Sequence, residues 1–236
     1  MKPRVRFAPS PTGEPHLGFA RTALYNFLFA KNKGGQFLLR IEDTDIERSE
    51  NDYTKAMLSS LSWLGLHWDE EVVFQSKRGD NYKKHIKLLL ETGRAYRCFA
   101  SKDELEKIRK EKKSFNYNGL WRNKSVDEIK KQLEEGNPYT IRLKTPKSGN
   151  VNFKDAIYGD ISVSNQEIDD FIIVRSDGNP VYNFTNVIDD YDMNISHVIR
   201  GEDHISNTPK QLHIYQALSF NSPSFAHLPM ILGGDK

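Results

Sequence analysis

The sequence predicts an α/β protein whose central sheet is largely parallel. Through residues 1–80, short β-type runs alternate with helical segments, a pattern typical of parallel sheets covered by helices. Over residues 20–31, apolar side chains recur at helical spacing. A turn with three prolines, residues 8–18, joins the first β-type run to that helix. Because ligands of open α/β sheets bind beyond the carboxyl ends of the strands, we expect the functional site beside residues 6–18.

Glycines delimit the elements of the first part. The sequence predicts strands at 5–7 and 36–41 and helices at 20–31, 53–64 and 82–90. Gly65 and Gly93 follow the last two helices. Glycine is common at helix ends because it adopts the left-handed backbone conformation without a steric penalty.

The middle of the chain has a different pattern, which indicates an α+β insertion at residues 81–181. Ser101 with Glu104, and Ser125 with Glu128, form two capping-box patterns that predict short polar helices. Strand-like runs lie at 95–99, 139–144, 157–163 and 171–175, with a hairpin-type turn at 176–179.

The last segment, residues 182–236, returns to the α/β pattern. A strand is predicted at 195–200, followed by a helix with Thr208 as its N-cap and Pro209 at its first position. The predicted organisation is one α/β domain, formed by residues 1–80 and 182–236, which the insertion interrupts.

Composition excludes several classes of protein. Of 236 residues, 37% are hydrophobic, and the formal net charge of +2 is too small to predict nucleic-acid binding by itself. No apolar run approaches the ~20 residues of a transmembrane helix, and no signal peptide is recognisable. A single cysteine, Cys98, allows neither an internal disulfide nor a cysteine zinc cluster. We expect a cytoplasmic protein that does not contact a membrane.

The first candidate site lies in the proline-rich turn, which matches neither a Walker A loop nor a G-x-G-x-x-G sequence. His16 and Gly18 instead stand at the start of a predicted helix. There an imidazole can donate to phosphate oxygens, and a glycine permits close approach of a ligand. A surface histidine is the ordinary alternative for His16 alone, but the complete turn between strand and helix favours a binding site.

Charged residues mark the ends of the predicted strands. Glu42 follows the second strand, where a carboxylate can hold an amino group, whereas Asp43 and Asp45 fit an ordinary helix N-cap region. Arg6 and Arg200 both stand in β-type runs. If they face one crevice, two cations converge with Glu42 as the only acid between them, which suits a small dicarboxylate with one amino group. The alternative is two solvated arginines.

A basic segment with interleaved aromatic residues lies inside the insertion. Its members are Lys107, Arg109, Lys110, Lys112, Lys113, Tyr117, Trp121, Arg122 and Lys124. Such a segment can contact an RNA backbone and an unstacked base. Interspersed Glu104, Glu106 and Glu111 allow the alternative of a solvated amphipathic helix, and the sequence leaves both interpretations open.

Five motifs together resemble bacterial-type glutamyl-tRNA synthetase, a class I aminoacyl-tRNA synthetase, and they occur in that family's order. They are residues 6–13 (RFAPSPTG), 16–19 (HLGF), 40–45 (RIEDTD), 182–190 (YNFTNVIDD) and 200–204 (RGEDH). The second motif is similar to the family's HIGH signature, with Phe19 in place of the last histidine. Because that position varies in the family, Phe19 is assigned no catalytic role.

The resemblance implies a Rossmann-like parallel-sheet catalytic domain interrupted by an acceptor-stem-binding insertion. It assigns glutamate binding to Arg6, Ala8, Ser10, Glu42, Tyr182, Asn186 and Arg200. It assigns ATP binding to His16, Gly18, Asp203 and His204, with His16 and Gly18 as the catalytic residues. Glu42 is expected to hold the substrate ammonium. Arg6, Arg200 and the Tyr182 hydroxyl are expected to bind the side-chain carboxylate.

The implied reaction has two steps. L-Glutamate attacks the α-phosphate of Mg²⁺-bound ATP to form glutamyl-adenylate, and the terminal ribose of tRNA(Glu) then takes the glutamyl group. The resemblance implies a monomer whose partners are tRNA(Glu), L-glutamate and ATP. Some relatives bind zinc in the insertion through cysteines; with Cys98 alone, no zinc or other metal site is expected.

The same resemblance leaves two alternatives open. A glutamyl-queuosine tRNA(Asp) synthetase shares the core but lacks an anticodon-binding domain. A non-catalytic synthetase-like protein would only bind tRNA or the amino acid, and retention of His16, Gly18, Glu42 and Arg200 together argues against it. The family's lysine-rich KMSKS-type loop is expected just after Lys236, so the 236 residues alone are expected to adenylate glutamate poorly.

Overall fold

The computed structural model describes residues 2–44, 51–112, 117 and 119–231. Outside the described part lie Asp45, Lys113 and the side chains of Arg109, Glu111 and Lys112. The strands are β1 (Arg4–Phe7), β2 (Gln36–Ile41), β3 (Val73–Phe74), β4 (Ala95–Cys98), β5 (Thr140–Leu143), β6 (Asn150–Asp155), β7 (Gly159–Ser164), β8 (Ile172–Val174), β9 (His197–Gly201) and β10 (Ser224–Leu228). The helices are α1 (Leu17–Asn32), α2 (Asn51–Trp63), α3 (Gly79–Glu91), α4 (Lys102–Lys112), α5 (Val126–Glu134), α6 (Tyr182–Asp192) and α7 (Thr208–Ala217).

β1 is near the centre of a seven-stranded sheet with the order β3-β2-β1-β9-β10-β6-β7. β1 pairs in parallel with β2 and β9, and β9 pairs in parallel with β10. Among the described strands of this sheet, only β6 and β7 are antiparallel to each other. The α/β prediction is therefore confirmed. Because parallel strands end at one edge, the carboxyl ends of β1, β2, β9 and β10 lie together.

Helices cover the central strands, which explains their apolar sequences. Phe37, Leu38 and Leu39 of β2 are consecutive and all buried, so both faces of this strand are covered, as in other parallel sheets. No helix in the described part of the chain is long and apolar enough to cross a bilayer.

The segment predicted as an insertion contributes to both sheets. β4, β5 and β8 form a separate antiparallel sheet, whereas β6 pairs in parallel with β10 and extends the main sheet. β6 is absent from the predicted strands, although Val151 and Phe153 alternate there with polar residues. Elements before and after position 181 also share one core, which includes Leu89, Ile173 and Ile214. The boundaries at 80 and 181 stay predictions.

The ends of the helices follow the predicted caps with one exception. Both capping boxes are present, at α4 and at α5, and Gly65 and Gly93 have positive φ angles of 72° and 66°. The N-cap of α7 is Asn207, so the prediction for Thr208 is wrong. Thr208 is the first helical residue and Pro209 the second, because a 3-10 helix (Glu202–Asn207) runs directly into α7 and gives Thr208 helical angles of φ −56° and ψ −46°. The buried Thr208 hydroxyl instead accepts a hydrogen bond from Arg200.

Candidate active site

The carboxyl edge of the main sheet opens into a cavity of about 950 Å³. Its walls come from the proline-rich turn after β1, the end of β2, the start of α6 and the segment after β9. All of the predicted site residues line it: Arg6, Ala8, Ser10, His16, Gly18, Glu42, Tyr182, Asn186, Arg200, Asp203 and His204. Their individual roles stay predictions, but the fold places them around one space.

His16 caps the helix that starts at this cavity. It is the N-cap residue of α1, and its Nδ1 accepts a hydrogen bond from the Gly18 N–H at 3.1 Å. Because Nδ1 is the acceptor, the neutral imidazole carries its proton on Nε2, which can donate to a ligand. The side chain is exposed, and an anion bound there would also meet the positive end of the helix dipole.

Gly18 makes this capping geometry possible. A Cβ atom at position 18 would lie 3.0 Å from Cε1 and 3.1 Å from Nδ1 of His16, which is tighter than ordinary van der Waals contact. The absence of a side chain therefore leaves room for the His16 ring, in addition to the ligand approach expected from the sequence.

Glu42 follows β2 and is held from two sides. Its Oε1 accepts hydrogen bonds from Arg40 Nη2 at 3.1 Å and from Asn186 Nδ2 at 2.9 Å. The side chain is buried, and this burial raises its pKa against the opposing effect of the Arg40 and Arg6 charges. Asn186 and Arg40 thus orient the carboxylate that, according to the family resemblance, holds the substrate ammonium.

Arg6 has an acidic partner that the sequence analysis did not anticipate. Its Nε and Nη2 donate to the Asp190 carboxylate at 2.9 and 3.3 Å, and Arg40 Nη1 donates to the same group at 2.6 Å. The expectation that Glu42 is the only acid between Arg6 and Arg200 is therefore wrong. Burial disfavours the ionised form of Asp190, but the two guanidinium charges outweigh it and hold its pKa below the ordinary value.

Arg200, in contrast, has neutral partners among the described residues. Its Nε donates to His227 Nε2 at 3.1 Å, and its Nη2 donates to Thr208 Oγ1 at 2.7 Å. Its Nη1 is buried and has no hydrogen-bond partner in the described part of the chain. Burial lowers the pKa of Arg200 and the nearby Arg6 charge adds to this effect, against the opposing effects of Tyr182 and Asp190. A guanidinium that lines a cavity and has only neutral partners can receive an anion there.

Tyr182 and His204 lie side by side at the cavity wall. The Tyr182 hydroxyl is 3.3 Å from His204 Nδ1, and the ring centroids are 5.4 Å apart. Asn207 Nδ2 also contacts Nδ1, at 3.1 Å, and His204 Nε2 lies 3.4 Å from Asp203 Oδ2. Burial and the Arg200 charge lower the pKa of His204 to about 4, so this imidazole is neutral at pH 7.

Several other candidate residues have partners inside the protein. Asp43 accepts two hydrogen bonds from Ser76, at 2.8 and 2.7 Å, and so stabilises the turn at Gln75–Lys77. In the basic segment, the contacts are Arg122 with Asp170, Lys124 with Glu128, Tyr117 with Arg142, and Trp121 with Phe99. These contacts favour a structural role for the aromatic half of that segment.

The sequence analysis assigns no role to three residues that support the site from outside the cavity lining, Asp190, Asp155 and His227. Asp190 had a usable signal, because it follows Asn186 by four residues and therefore shares its helix face. Asp155 and His227 have no local signal. They are separated by 72 residues and meet only because β6 pairs beside β10.

Comparison with known proteins identifies the family. Residues 2–236 match the family described as tRNA synthetases class I (E and Q), catalytic domain. A protein named glutamate–tRNA ligase 2, from Caldicellulosiruptor saccharolyticus, is 53% identical over 99% of this chain and 51% of its own length. A glutamate–tRNA ligase from Legionella pneumophila is 52% identical over 100% of this chain and 50% of its own length.

Solved structures agree with these relatives. The crystal structure of a glutamate tRNA ligase from Elizabethkingia meningosepticum, in complex with its amino acid, matches with a TM-score of 0.92 and 41% identity. That match covers 98% of this chain and 50% of the other. The chain spans about half the length of the curated relatives it matches. By its motifs, its fold and this similarity, the chain belongs to the class I tRNA synthetases for glutamate and glutamine and matches their catalytic domain.

Proposed function

We propose that this chain is the catalytic part of an enzyme that attaches L-glutamate to tRNA(Glu) through a glutamyl-adenylate. The observation that carries the proposal is the pair of opposite charges in one cavity. Glu42 offers a carboxylate for the substrate ammonium, and Arg200 offers a buried guanidinium without an acidic partner among the described residues. The names of the relatives support the same substrate, so the queuosine-type and non-catalytic alternatives are not favoured.

The first step uses ATP, with Mg²⁺, as a substrate. An α-carboxylate oxygen of glutamate attacks the α-phosphorus, and pyrophosphate leaves. His16 Nε2–H would donate to a phosphate oxygen while negative charge grows there, a role that depends on position more than on proton transfer. Asp203 and the neutral His204 line the same cavity and would border the adenosine.

Selectivity for glutamate over glutamine would come from Arg200. A carboxylate gives the guanidinium a charge-assisted partner, whereas an amide is neutral and presents N–H groups toward a buried donor. A binding site rejects a wrong substrate strongly when that substrate would leave a buried polar group of the protein unpaired.

In the second step, the 2′-hydroxyl of the terminal ribose of tRNA(Glu) attacks the glutamyl carbonyl carbon and releases AMP. As the family resemblance implies, residues 81–181 would hold the acceptor stem. The enzyme would act as a monomer in the cytoplasm, where tRNA charging supplies translation.

Glutamate-dependent pyrophosphate exchange by the full-length protein, with and without tRNA(Glu), tests this proposal. We expect exchange with glutamate, little with glutamine, and about a hundredfold loss of kcat/KM in Glu42→Gln, because the ammonium loses a charged acceptor. Glu70→Gln is the matched control, since Glu70 pairs with Arg4 outside the cavity. No exchange by the unmodified protein under either condition, or full activity of Glu42→Gln, contradicts the proposal.

A further inference from the structure

Two buried residues outside the five motifs, His227 and Asp155, connect to Arg200 on the side away from the cavity. His227 on β10 and Asp155 on β6 are 0% and 1% exposed. His227 Nδ1 lies 2.6 Å from Asp155 Oδ2, while His227 Nε2 contacts Arg200 Nε at 3.1 Å. Three neighbouring strands thus contribute one chain of hydrogen bonds, Asp155–His227–Arg200. Neither His227 nor Asp155 is among the residues that line the cavity.

The protons in this chain have one consistent placement. A guanidinium can only donate, so His227 Nε2 must accept, and Nδ1 therefore carries the proton that is donated to Asp155. The Asp155 carboxylate also accepts the backbone N–H groups of Ile157 and Tyr158 at 2.9 and 3.0 Å. Because Nε2 accepts and Nδ1 donates, the imidazole carries one proton and is neutral, and burial lowers its pKa against the opposing effect of Asp155.

The two arginines of the site differ in their partners: Arg6 contacts a carboxylate, whereas Arg200 contacts a neutral imidazole. Arg6 contacts a carboxylate, Asp190, which compensates its charge. At Arg200 the acid is one side chain further away, and a neutral ring stands between them. The ring orients the guanidinium plane through Nε, and because it is neutral it leaves the positive charge of Arg200 uncompensated for an anion in the cavity that Arg200 lines.

We propose that His227, oriented by Asp155, positions Arg200 to bind the side-chain carboxylate of the amino acid substrate. This inference rests on the proposed function. Because His227 acts through Arg200 and does not line the cavity, it is a positioning residue. Its effect is on the KM for glutamate and on the preference for glutamate over glutamine, with little effect on kcat.

Two substitutions separate this role from simple packing between β6 and β10. Glutamine at position 227 places an amide oxygen near the Nε2 position and can still accept from Arg200. Asparagine places an amide N–H near the Nδ1 position and can still donate to Asp155. In pyrophosphate exchange by the full-length protein, we expect the KM for glutamate to stay within about threefold in His227→Gln and to rise about tenfold in His227→Asn. His213→Asn is the matched control, because His213 is a buried histidine of α7 outside the cavity.

The proposal is overturned if the KM for glutamate of His227→Gln is equal to or higher than that of His227→Asn. A ¹⁵N NMR spectrum of the unmodified protein provides a test that no variant can spoil by misfolding: His227 should have a protonated Nδ1 and an unprotonated Nε2. A protonated Nε2 overturns the proposal as well. Absence of glutamate-dependent exchange in the unmodified protein refutes the proposed function instead, and the NMR result then still decides the geometry of the pair.

Discussion

Replacing Arg200 by glutamine is expected to lower kcat/KM for glutamate about a thousandfold. A carboxylate bound to this guanidinium would form two charge-assisted hydrogen bonds of about 2 kcal/mol each, and about 4 kcal/mol corresponds to that factor. The guanidinium is buried and has no acidic partner among the described residues, so solvent does not weaken the interaction. The loss should be much smaller for glutamine, because the neutral amide gains nothing from the positive charge.

Pyrophosphate exchange with both amino acids measures this change in preference. Arg4→Gln is a suitable control, because Arg4 stands on the same strand as Arg6 but pairs with the partly exposed Glu70 away from the cavity. Its kcat/KM should stay within about twofold of the unmodified value. If Arg200→Gln keeps its selectivity for glutamate, Arg200 does not bind the side-chain carboxylate.

Replacing Asp190 by asparagine is expected to lower the free energy of unfolding by about 3 kcal/mol. The carboxylate is 2% exposed and lies between the buried guanidinium groups of Arg6 and Arg40. Removal of one member of a buried ion pair is costly because the remaining charge is left uncompensated in a poorly solvated place. Urea unfolding measures the loss as a lower midpoint with an unchanged slope.

The pH dependence of this loss has a defined sign. The pKa of Asp190 is lower in the folded protein than its ordinary value, so its contribution is present above the unfolded-state pKa of about 3.9. The contribution disappears as the pH falls through the folded-state pKa. The difference in unfolding free energy between the unmodified protein and Asp190→Asn should therefore be constant near pH 7 and shrink in acid.

An exposed ion pair provides the control for this stability measurement. Asp52 pairs with Lys55 at 3.3 Å with both side chains mostly exposed, and Asp52→Asn should change the unfolding free energy by less than about 0.5 kcal/mol. Equal effects of Asp52→Asn and Asp190→Asn would contradict the role given to the buried carboxylate.

Local chemistry made much of the fold predictable. The predicted strand at 36–41 coincides with β2 because its apolar run is bounded by glycines and by Glu42. The turns at Gly65 and Gly93 have positive φ angles, and these are predictable because glycine adopts such angles without a steric penalty. β6 escaped prediction because its half-buried, polar sequence resembles the loops around it, and its pairing with β10 depends on contacts distant in sequence.

The sequence by itself determined which strand ends bear the charges of the site, since strand runs, turn residues and charged side chains are all local features. Only the tertiary structure decided which of those charges is compensated. Arg6 meets Asp190 across 184 residues at 2.9 Å, and His227 meets Asp155 across 72 residues at 2.6 Å. The physical reason is that a buried charge needs a partner within hydrogen-bond distance, and strand order and helix packing choose that partner.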